Sequence, residues 1–323
     1  MSKFFLWFFY IVISSAVIVF IALTTTQKTF SQHSAEAAVV PIPDYLYSAK
    51  NNEVTSLNLW SPLMDNVQPS IPINFQLTAK EALLYDLSTN KLLFGKNIHQ
   101  RLAMASLTKI MTAVIALDNP KADDKYIVDQ NDIVGEDSMG LDSGEVLSQS
   151  DLLYGLILHS GNDAAETLAT NYPLGRTQFI KAMNNKAKTL GLFDTHFTNP
   201  TGLEGDGPQY TSAFDLLLLT HYALTYQTFT TVVKTFDYTI AQTATHKEYD
   251  LENETNLLTS YPGVEGVKTG YTPEAGYCLV TYLNFQNHKI IGIILGSDDR
   301  RDEMRDLLDY SLQELGITPP PNV

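Results

Sequence analysis

Ser106 and Lys109 stand three residues apart in Ala105-Ser-Leu-Thr-Lys109, where a stretch with apolar residues at helical spacing begins. Residues three apart on a helix share a face, so the lysine amine can reach the serine hydroxyl. A serine hydroxyl is a weak nucleophile until a nearby base takes its proton. An amine can be that base only if its pKa falls, which burial, a second cation or the positive end of a helix can cause. The pair therefore predicts nucleophilic catalysis by Ser106, with Lys109 as its base.

Two further motifs follow in order. Ser160-Gly-Asn162 interrupts two helical patterns, a place where polar side chains can point into a cleft. Lys268-Thr-Gly270 lies in Gly263-Val-Glu-Gly-Val-Lys-Thr-Gly-Tyr-Thr272. There Lys268 can supply a cation for a carboxylate, Thr269 offers a hydroxyl, and Gly270 has no side chain that would keep a substrate off the strand. The three motifs together predict one serine-based site.

Each motif is weak when it is taken alone. Ser88-Thr-Asn-Lys91 contains the same two looser patterns, and turn chemistry explains it fully. The structural alternative makes Ser106 a helix N-cap, Lys109 a solvated charge and the Ser160 motif a loop. The order, separations and element types of the three motifs match the trio of serine enzymes that react with penicillin, which favours the catalytic interpretation.

The elements that must position these motifs alternate between strand and helix patterns. Strands at both ends of the region, with helices between them, predict an α+β fold whose sheet is assembled from distant segments. Short apolar runs and changes in period place strands at 81–86, 92–94, 276–283 and 289–295, the last two joined by Asn287-His288. They place helices at 105–117, 150–159, 163–169, 214–222 and 302–315.

The first 72 residues differ from the rest of the chain in composition and in hydrophobic periodicity. Phe4 to Leu23 contains twenty residues without a charge, which matches the roughly 30 Å hydrocarbon core of a bilayer. We expect an uncleaved transmembrane anchor after a cytoplasmic stub at 1–3, with a cleaved signal sequence as the alternative. Residues 24–72 contain five prolines and no sustained periodicity, which predicts a tether. The catalytic domain is then predicted at 73–318.

Composition excludes several classes of function. The chain has 323 residues and a formal charge of −15, from 21 basic and 36 acidic residues, which argues against a nucleic-acid partner. Cys278 is the single cysteine, so neither an intramolecular disulfide nor a Cys-rich zinc site can form. Seven histidines show no paired ligand spacing. We therefore expect no metal and no cofactor, nothing supports a Ser-His-Asp triad, and Glu166 is predicted to be a helix surface residue.

From about Ile73 to about Leu315 the chain resembles the low-molecular-weight penicillin-binding proteins of the D-alanyl-D-alanine carboxypeptidase family. The resemblance implies a β-lactamase/transpeptidase-like fold, with a five-stranded antiparallel sheet flanked by helices, a mostly helical lobe carrying Ser160, and the site between them. It extends beyond the three motifs to their flanks in Met104-Ala-Ser-Leu-Thr-Lys-Ile-Met-Thr112, Asn199-Pro-Thr-Gly-Leu203 and Gly266-Val-Lys-Thr-Gly-Tyr-Thr272.

The resemblance also implies catalytic roles. Ser106 attacks the carbonyl of the penultimate D-alanine and becomes the acyl-ester, while Lys109 is its base. Ser160 relays a proton to the departing amine, and Asn162 holds the substrate amide and the lysine network.

Substrate-binding roles follow from the third motif. Lys268 and Thr269 bind the terminal carboxylate, and Gly270 keeps the strand accessible. The backbone N–H groups of Ser106 and Tyr271 form the oxyanion hole. Tyr271 stands where relatives often have His, a difference of little consequence if only its backbone acts.

The implied activity is removal of the terminal D-alanine from peptidoglycan stem pentapeptides, with β-lactams as covalent inhibitors. A D,D-endopeptidase or β-lactamase of the same fold and a catalytically silent cell-envelope binding module are the alternatives. The sequence ends soon after the closing helix, so we expect the N-terminal span, in place of a C-terminal amphipathic tail, to hold the protein at the cell membrane. Because the substrate is extracytoplasmic, we expect the N-terminus inside and the catalytic domain outside.

Overall fold

The computed structural model describes residues 60–64, 71, 73–255 and 257–321, all within one unit of the chain at 59–323. Within these ranges no helix combines the length and apolar character needed to cross a bilayer. The predicted apolar span at 4–23 and most of the predicted tether at 24–72 lie outside the described residues.

A five-stranded sheet with every neighbouring pair antiparallel organises the body. Its strands are β1 (Glu81–Asp86), β2 (Lys91–Lys96), β7 (Val264–Thr272), β8 (Gly276–Phe285) and β9 (His288–Ser297). They lie in the order β2-β1-β9-β8-β7. Gln286 and Asn287 form the two-residue turn between β8 and β9 and both have positive φ, as a type I′ hairpin turn requires. His288, predicted in that turn, begins β9.

Both faces of this sheet are buried, which explains why its strands read as apolar runs. In β1, Leu83 and Tyr85 belong to a large cluster shared with most of the helices, while Ala82 and Leu84 belong to a second cluster shared with the C-terminal helix. Side chains alternate across a strand, so one short strand contributes to both cores. The predicted five-stranded antiparallel sheet flanked by helices is confirmed.

The described residues form eight α-helices, α1 (Thr108–Asp118), α2 (Gln149–Leu158), α3 (Asn162–Thr170), α4 (Arg176–Leu190), α5 (Ala213–Ala223), α6 (Gln227–Lys234), α7 (Leu257–Ser260) and α8 (Arg300–Glu314). Ser148, Ser212 and Asp299 cap α2, α5 and α8 by accepting a backbone N–H from the first turn. The sequence patterns did not predict α4, α6 or α7; the apolar residues of α4 form only one narrow stripe.

Two small hairpins and an N-terminal segment complete the described structure. The hairpins are β3 (Tyr126–Ile127) with β4 (Val146–Leu147) and β5 (Asp237–Ile240) with β6 (Tyr249–Glu252). Trp60 stacks on His221 with ring centroids 4.1 Å apart and meets the edge of Tyr85 at 5.4 Å. This part of the predicted tether therefore contacts the body.

Candidate active site

Ser106 lies in a single 3₁₀ turn, Ala105–Leu107, and not within the helix itself. The turn leads directly into α1, so Ser106 and Lys109 still face the same way. Ala105 has a φ of +48°, a left-handed value that is unusual outside glycine. Gly202 explains how the turn is held, because a Cβ there would lie 2.0 Å from the carbonyl oxygen of Ala105. Ser106 is only 9% exposed.

Lys109 is completely buried and points at the nucleophile. Its Nζ donates to Ser106 Oγ at 2.9 Å, to Asn162 Oδ1 at 2.6 Å and to the Thr201 carbonyl at 2.8 Å. Burial, followed by the positive charge of Lys268, lowers the pKa of Lys109 well below its ordinary 10.5. An amine with a lowered pKa within hydrogen-bond distance of a hydroxyl can act as a base toward it.

The second motif lies in the break between α2 and α3, as predicted. Ser160 is buried with a φ of +55°, and its hydroxyl makes no hydrogen bond with any described residue. Asn162 begins α3 and reaches Lys109 through Oδ1, while its Nδ2 donates to the Glu136 carbonyl at 2.7 Å. The structure thus joins Asn162 directly to the Ser106–Lys109 pair, with the Ser160 hydroxyl left open two residues earlier.

The third motif occupies the edge strand β7, next to the nucleophile turn. A Cβ on Gly270 would lie 3.0 Å from the Ser106 nitrogen and 3.2 Å from the Ala105 Cβ, so a larger residue would press on that turn. Lys268 and Thr269, immediately before it, are 1% and 2% exposed. Neither side chain has a hydrogen-bond partner among the described residues.

Lys268 is a buried cation without a counter-ion at hydrogen-bond distance in the described structure. Burial lowers its pKa to about 8; the negative charges of Glu254 and Asp137 oppose this shift, while the positive charge of Arg300 adds to it. Such a group binds an anion strongly, because the anion replaces lost solvation. This is the chemistry expected of a carboxylate-binding residue.

The end of β7 is braced by the neighbouring strand β8 and by the first residue of α8. Tyr271 is 52% exposed, and its ring lies 4.7 Å from that of Tyr277. Arg300 donates to the Gly270 carbonyl at 2.8 Å and lies over the Tyr277 ring. The side chain of Tyr271 therefore faces outward, which is consistent with a role for its backbone alone.

Several groups that shape the site could not be identified from the sequence. The Thr201 carbonyl holds Lys109, and the Asn199 side chain folds the surrounding loop by accepting the backbone N–H groups of Thr201 and Gly202. The one indication of this loop in the sequence was the segment Asn199-Pro-Thr-Gly-Leu203, which resembles the corresponding segment of the family.

The expectation that Glu166 is a surface residue is wrong. Its side chain is buried, and both carboxylate oxygens accept from Arg176, at 2.7 and 3.0 Å. Arg176 begins α4, which the sequence patterns did not predict. The ion pair that buries Glu166 could therefore not be predicted either. In the described ranges, no group of three or more His, Cys, Asp or Glu side chains could hold a metal ion.

A solved structure, the Streptomyces K15 DD-transpeptidase, resembles this one with a TM-score of 0.70 and 32% sequence identity, covering 75% of this chain and all of that one. The chain thus has the penicillin-binding protein fold, with a buried serine–lysine pair within it. A sequence profile of D-alanyl-D-alanine carboxypeptidase matches residues 65–299. The chain belongs to the D-alanyl-D-alanine carboxypeptidase family.

Two curated relatives support this assignment. The D-alanyl-D-alanine carboxypeptidase DacF of Bacillus subtilis is 36% identical over 250 residues, which are 75% of this chain and 64% of DacF. The D-alanyl-D-alanine carboxypeptidase of Streptomyces sp. strain K15 is 36% identical over 242 residues, 69% of this chain and 83% of the relative. The chain therefore spans less than two thirds of DacF.

Proposed function

We propose that this protein is a serine-type D-alanyl-D-alanine carboxypeptidase that removes the terminal D-alanine from peptidoglycan stem pentapeptides through an acyl-enzyme on Ser106. One observation carries the proposal: Lys109 Nζ lies 2.9 Å from Ser106 Oγ in a buried site where its pKa is lowered. The hydroxyl has a base within reach, and the base has a reason to be neutral.

In the proposed acylation, neutral Lys109 takes the hydroxyl proton as Ser106 Oγ attacks the carbonyl of the penultimate D-alanine. The C–N bond then breaks, and the terminal D-alanine leaves as an amine that has gained a proton. The Ser160 hydroxyl, buried and without a partner in the described structure, is suited to pass on that proton. Water releases the shortened peptide, and Lys109 is our first choice to activate it.

The oxyanion that forms during attack would be held by the backbone N–H groups of Ser106 and Tyr271. The short approach of Gly270 to the Ser106 nitrogen supports this role, because it brings edge strand and nucleophile turn together. One such donor is typically worth about 2.7–4 kcal/mol of transition-state stabilisation.

Carboxylate recognition by Lys268 and Thr269 would select a free peptide end, which favours a carboxypeptidase. Asn162 fits the lysine network better than it fits a direct substrate contact, since both polar atoms of its side chain already have partners. Holding the substrate amide would require Asn162 to release the Glu136 carbonyl.

A β-lactamase of the same fold needs a carboxylate that activates water for rapid deacylation. Glu204 is the acidic residue next to the loop at 199–203, and its Oε1 accepts the backbone N–H of Glu274 at 3.0 Å. That contact supports a bracing role for Glu204. We therefore favour the carboxypeptidase, with β-lactams as inhibitors that remain bound at Ser106.

The membrane placement is also a proposal. Residues 4–23 would anchor the protein with residues 1–3 in the cytoplasm, residues 24–72 would form the tether, and residues 73–318 would act outside the membrane. The charge-free apolar stretch supports this arrangement. A C-terminal reporter fusion that is active only when extracytoplasmic should give a signal. A silent fusion, together with a signal from a matching reporter that is active only in the cytoplasm, would contradict the topology.

The decisive experiment combines fluorescent penicillin labelling with release of D-alanine from a pentapeptide. The wild type should show both, Ser106→Ala neither, and the matched control Ser88→Ala, in the second Ser-x-x-Lys sequence, both. Labelling that survives Ser106→Ala would overturn the assignment. A wild type that shows neither would point to a silent binding module, fast penicillin turnover to a β-lactamase, and preferred cleavage of cross-linked dimers to an endopeptidase.

A further inference from the structure

A second cavity opens at the far end of the sheet, away from Ser106. Its volume is about 520 Å³, within the range of small-molecule sites. Tyr282 lines it and lies four residues along β8 from Cys278, the partner of Gly270, which is about 14 Å along the strand. We call it the sheet-end pocket; besides two leucines it is lined by Ser88, His221, Thr225, Tyr282, Asn287 and Lys289.

The polar groups of the sheet-end pocket are largely unused by the protein. The side chains of His221, Tyr282, Asn287 and Lys289 make no hydrogen bond or ion pair with any described residue. They come from a helix, two strands and a tight turn, so the fold brings them together from separate segments. A cavity in which a few polar groups converge beside apolar side chains is the usual form of a small-molecule site.

The charge of the pocket distinguishes it from most of this acidic protein. Lys289 contributes a cation, and none of the described residues that line the pocket is acidic. Two carboxylates on neighbouring segments are already paired, Asp86 with His288 and Glu265 with Lys234. An anionic group on a ligand would therefore meet Lys289 without competition from these acids.

The wall formed by His221 is held in place. Trp60 stacks on its ring, and the same tryptophan packs on Tyr85, whose hydroxyl accepts the Leu63 backbone N–H. Burial lowers the pKa of His221, so at neutral pH its ring is uncharged and can both donate and accept a hydrogen bond. Together with the Tyr282 ring and the two leucines, this gives an apolar surface beside the polar groups.

We propose that the sheet-end pocket binds a carboxylate-bearing N-acetylated sugar of the wall glycan, separately from the catalytic cleft. Lys289 binds the carboxylate, Asn287 and the hydroxyls meet sugar and amide groups, and the Tyr282 ring packs on the sugar face. The site would hold the enzyme on stretches of the glycan whose sugar carboxylates carry no peptide, next to the stem peptides that Ser106 trims. The binding chemistry is independent of the peptidase reaction, while wall glycan as its source rests on the proposed function.

The test measures binding by calorimetry to the full chain in detergent, with the peptide-free disaccharide of N-acetylglucosamine and N-acetylmuramic acid as probe. Lys289→Met should weaken binding at least about tenfold, because a charge-assisted hydrogen bond is lost. The matched control is Lys91→Met, on an exposed lysine of β2 outside the pocket, which should bind as the wild type does. Chitobiose and lactate separate the sugar from the carboxylate, and each should bind more weakly than the probe.

Acylation of Ser106 with penicillin should leave the probe's affinity unchanged, and pentapeptide turnover should be the same in Lys289→Met and wild type. Absence of binding at millimolar probe, equal binding by Lys289→Met, or displacement by penicillin would each overturn the proposal. The penicillin label on the same sample reports on the proposed peptidase separately, so failure of one is distinguishable from failure of the other.

Discussion

The protein buries charge in two ways, and the two regions contrast sharply. Behind the cleft, the Asp163 carboxylate accepts the Ser138 hydroxyl and the backbone N–H groups of residues 139–141 and 164. Within the cleft, Lys268 is equally buried but has no hydrogen-bond partner in the described structure. A buried charged group whose hydrogen bonds are all made within the protein (saturated) holds a loop in place. One without such partners (unsaturated) can bind a ligand or react.

Lys109 lies between these extremes. All three of its hydrogen-bond acceptors are uncharged, so they orient the amine without neutralising a positive charge. Burial and the nearby cation Lys268 then favour the neutral form. The comparison teaches that in this fold the partners of a buried charge indicate its role better than its burial does.

The largest expected effect comes from removing the base. Lys109→Met should lower kcat/KM for pentapeptide at least about 10³-fold, because Ser106 loses proton transfer in the attack. Lys186→Met is the control, since Lys186 belongs to the same lobe but pairs with Asp118. D-alanine release measures the loss, and circular dichroism checks folding. Retention of a tenth of the activity would contradict the assigned base.

Breaking the saturated carboxylate should cost stability. Asp163→Ala leaves several buried backbone N–H groups without an acceptor, and we expect unfolding free energy to fall by about 3–5 kcal/mol. Asp163→Asn, which keeps one acceptor oxygen, should lose less. Thermal unfolding measures both, and a melting temperature within 1 or 2 °C of wild type, roughly the effect of only about 0.5 kcal/mol, would mean that this carboxylate is not a brace.

Removing the unsaturated charge of Lys268 should stabilise the protein. Lys268→Met should raise the free energy of unfolding by about 1–3 kcal/mol at pH 7 while raising KM for the carboxylate-bearing substrate. Because the folded pKa, about 8, lies below the ordinary 10.5, the destabilisation is full below pH 8 and fades as pH rises toward 10.5. Denaturant unfolding at pH 7 and pH 10 tests this, and a less stable variant at pH 7 would count against it.

The same lysine should set the alkaline limit of the reaction. Carboxylate binding needs protonated Lys268, so kcat/KM for pentapeptide should fall as pH rises through about 8. In kcat the limb should move to higher pH, because a bound carboxylate raises the lysine pKa. Initial rates across pH 6 to 10 at low and high substrate measure both limbs. Identical limbs in the two parameters would show that Lys268 does not bind the carboxylate.

Much of the site was predictable because its chemistry sits in side chains with a fixed order and spacing. Ser106, Lys109 and Asn162 meet as the motifs predict, and Gly270 is required by its approach to the Ser106 nitrogen. The Thr201 carbonyl was not predictable, since a backbone acceptor 92 residues from Lys109 leaves no trace in residue type.

The fold shows a similar division. Strands such as Glu81–Asp86 and the β8–β9 hairpin could be predicted from the sequence, because both faces of the sheet are buried and most of their residues are therefore apolar. Elements with only one narrow apolar stripe, such as α4, could not be predicted in this way. Glu166 illustrates the consequence, because its burial depends on Arg176 at the start of that helix.

The central claim is that Lys109 is neutral near physiological pH and takes the proton of Ser106. The most direct test is the rate of acylation by fluorescent penicillin as a function of pH, measured on the wild type with Ser106→Ala as the blank. At saturating penicillin, where the bound carboxylate keeps Lys268 protonated, a lowered pKa of Lys109 predicts that the rate rises with pH and reaches its plateau well below 10.5. A rate that keeps rising up to about pH 10 would show an ordinary, protonated lysine and contradict the account.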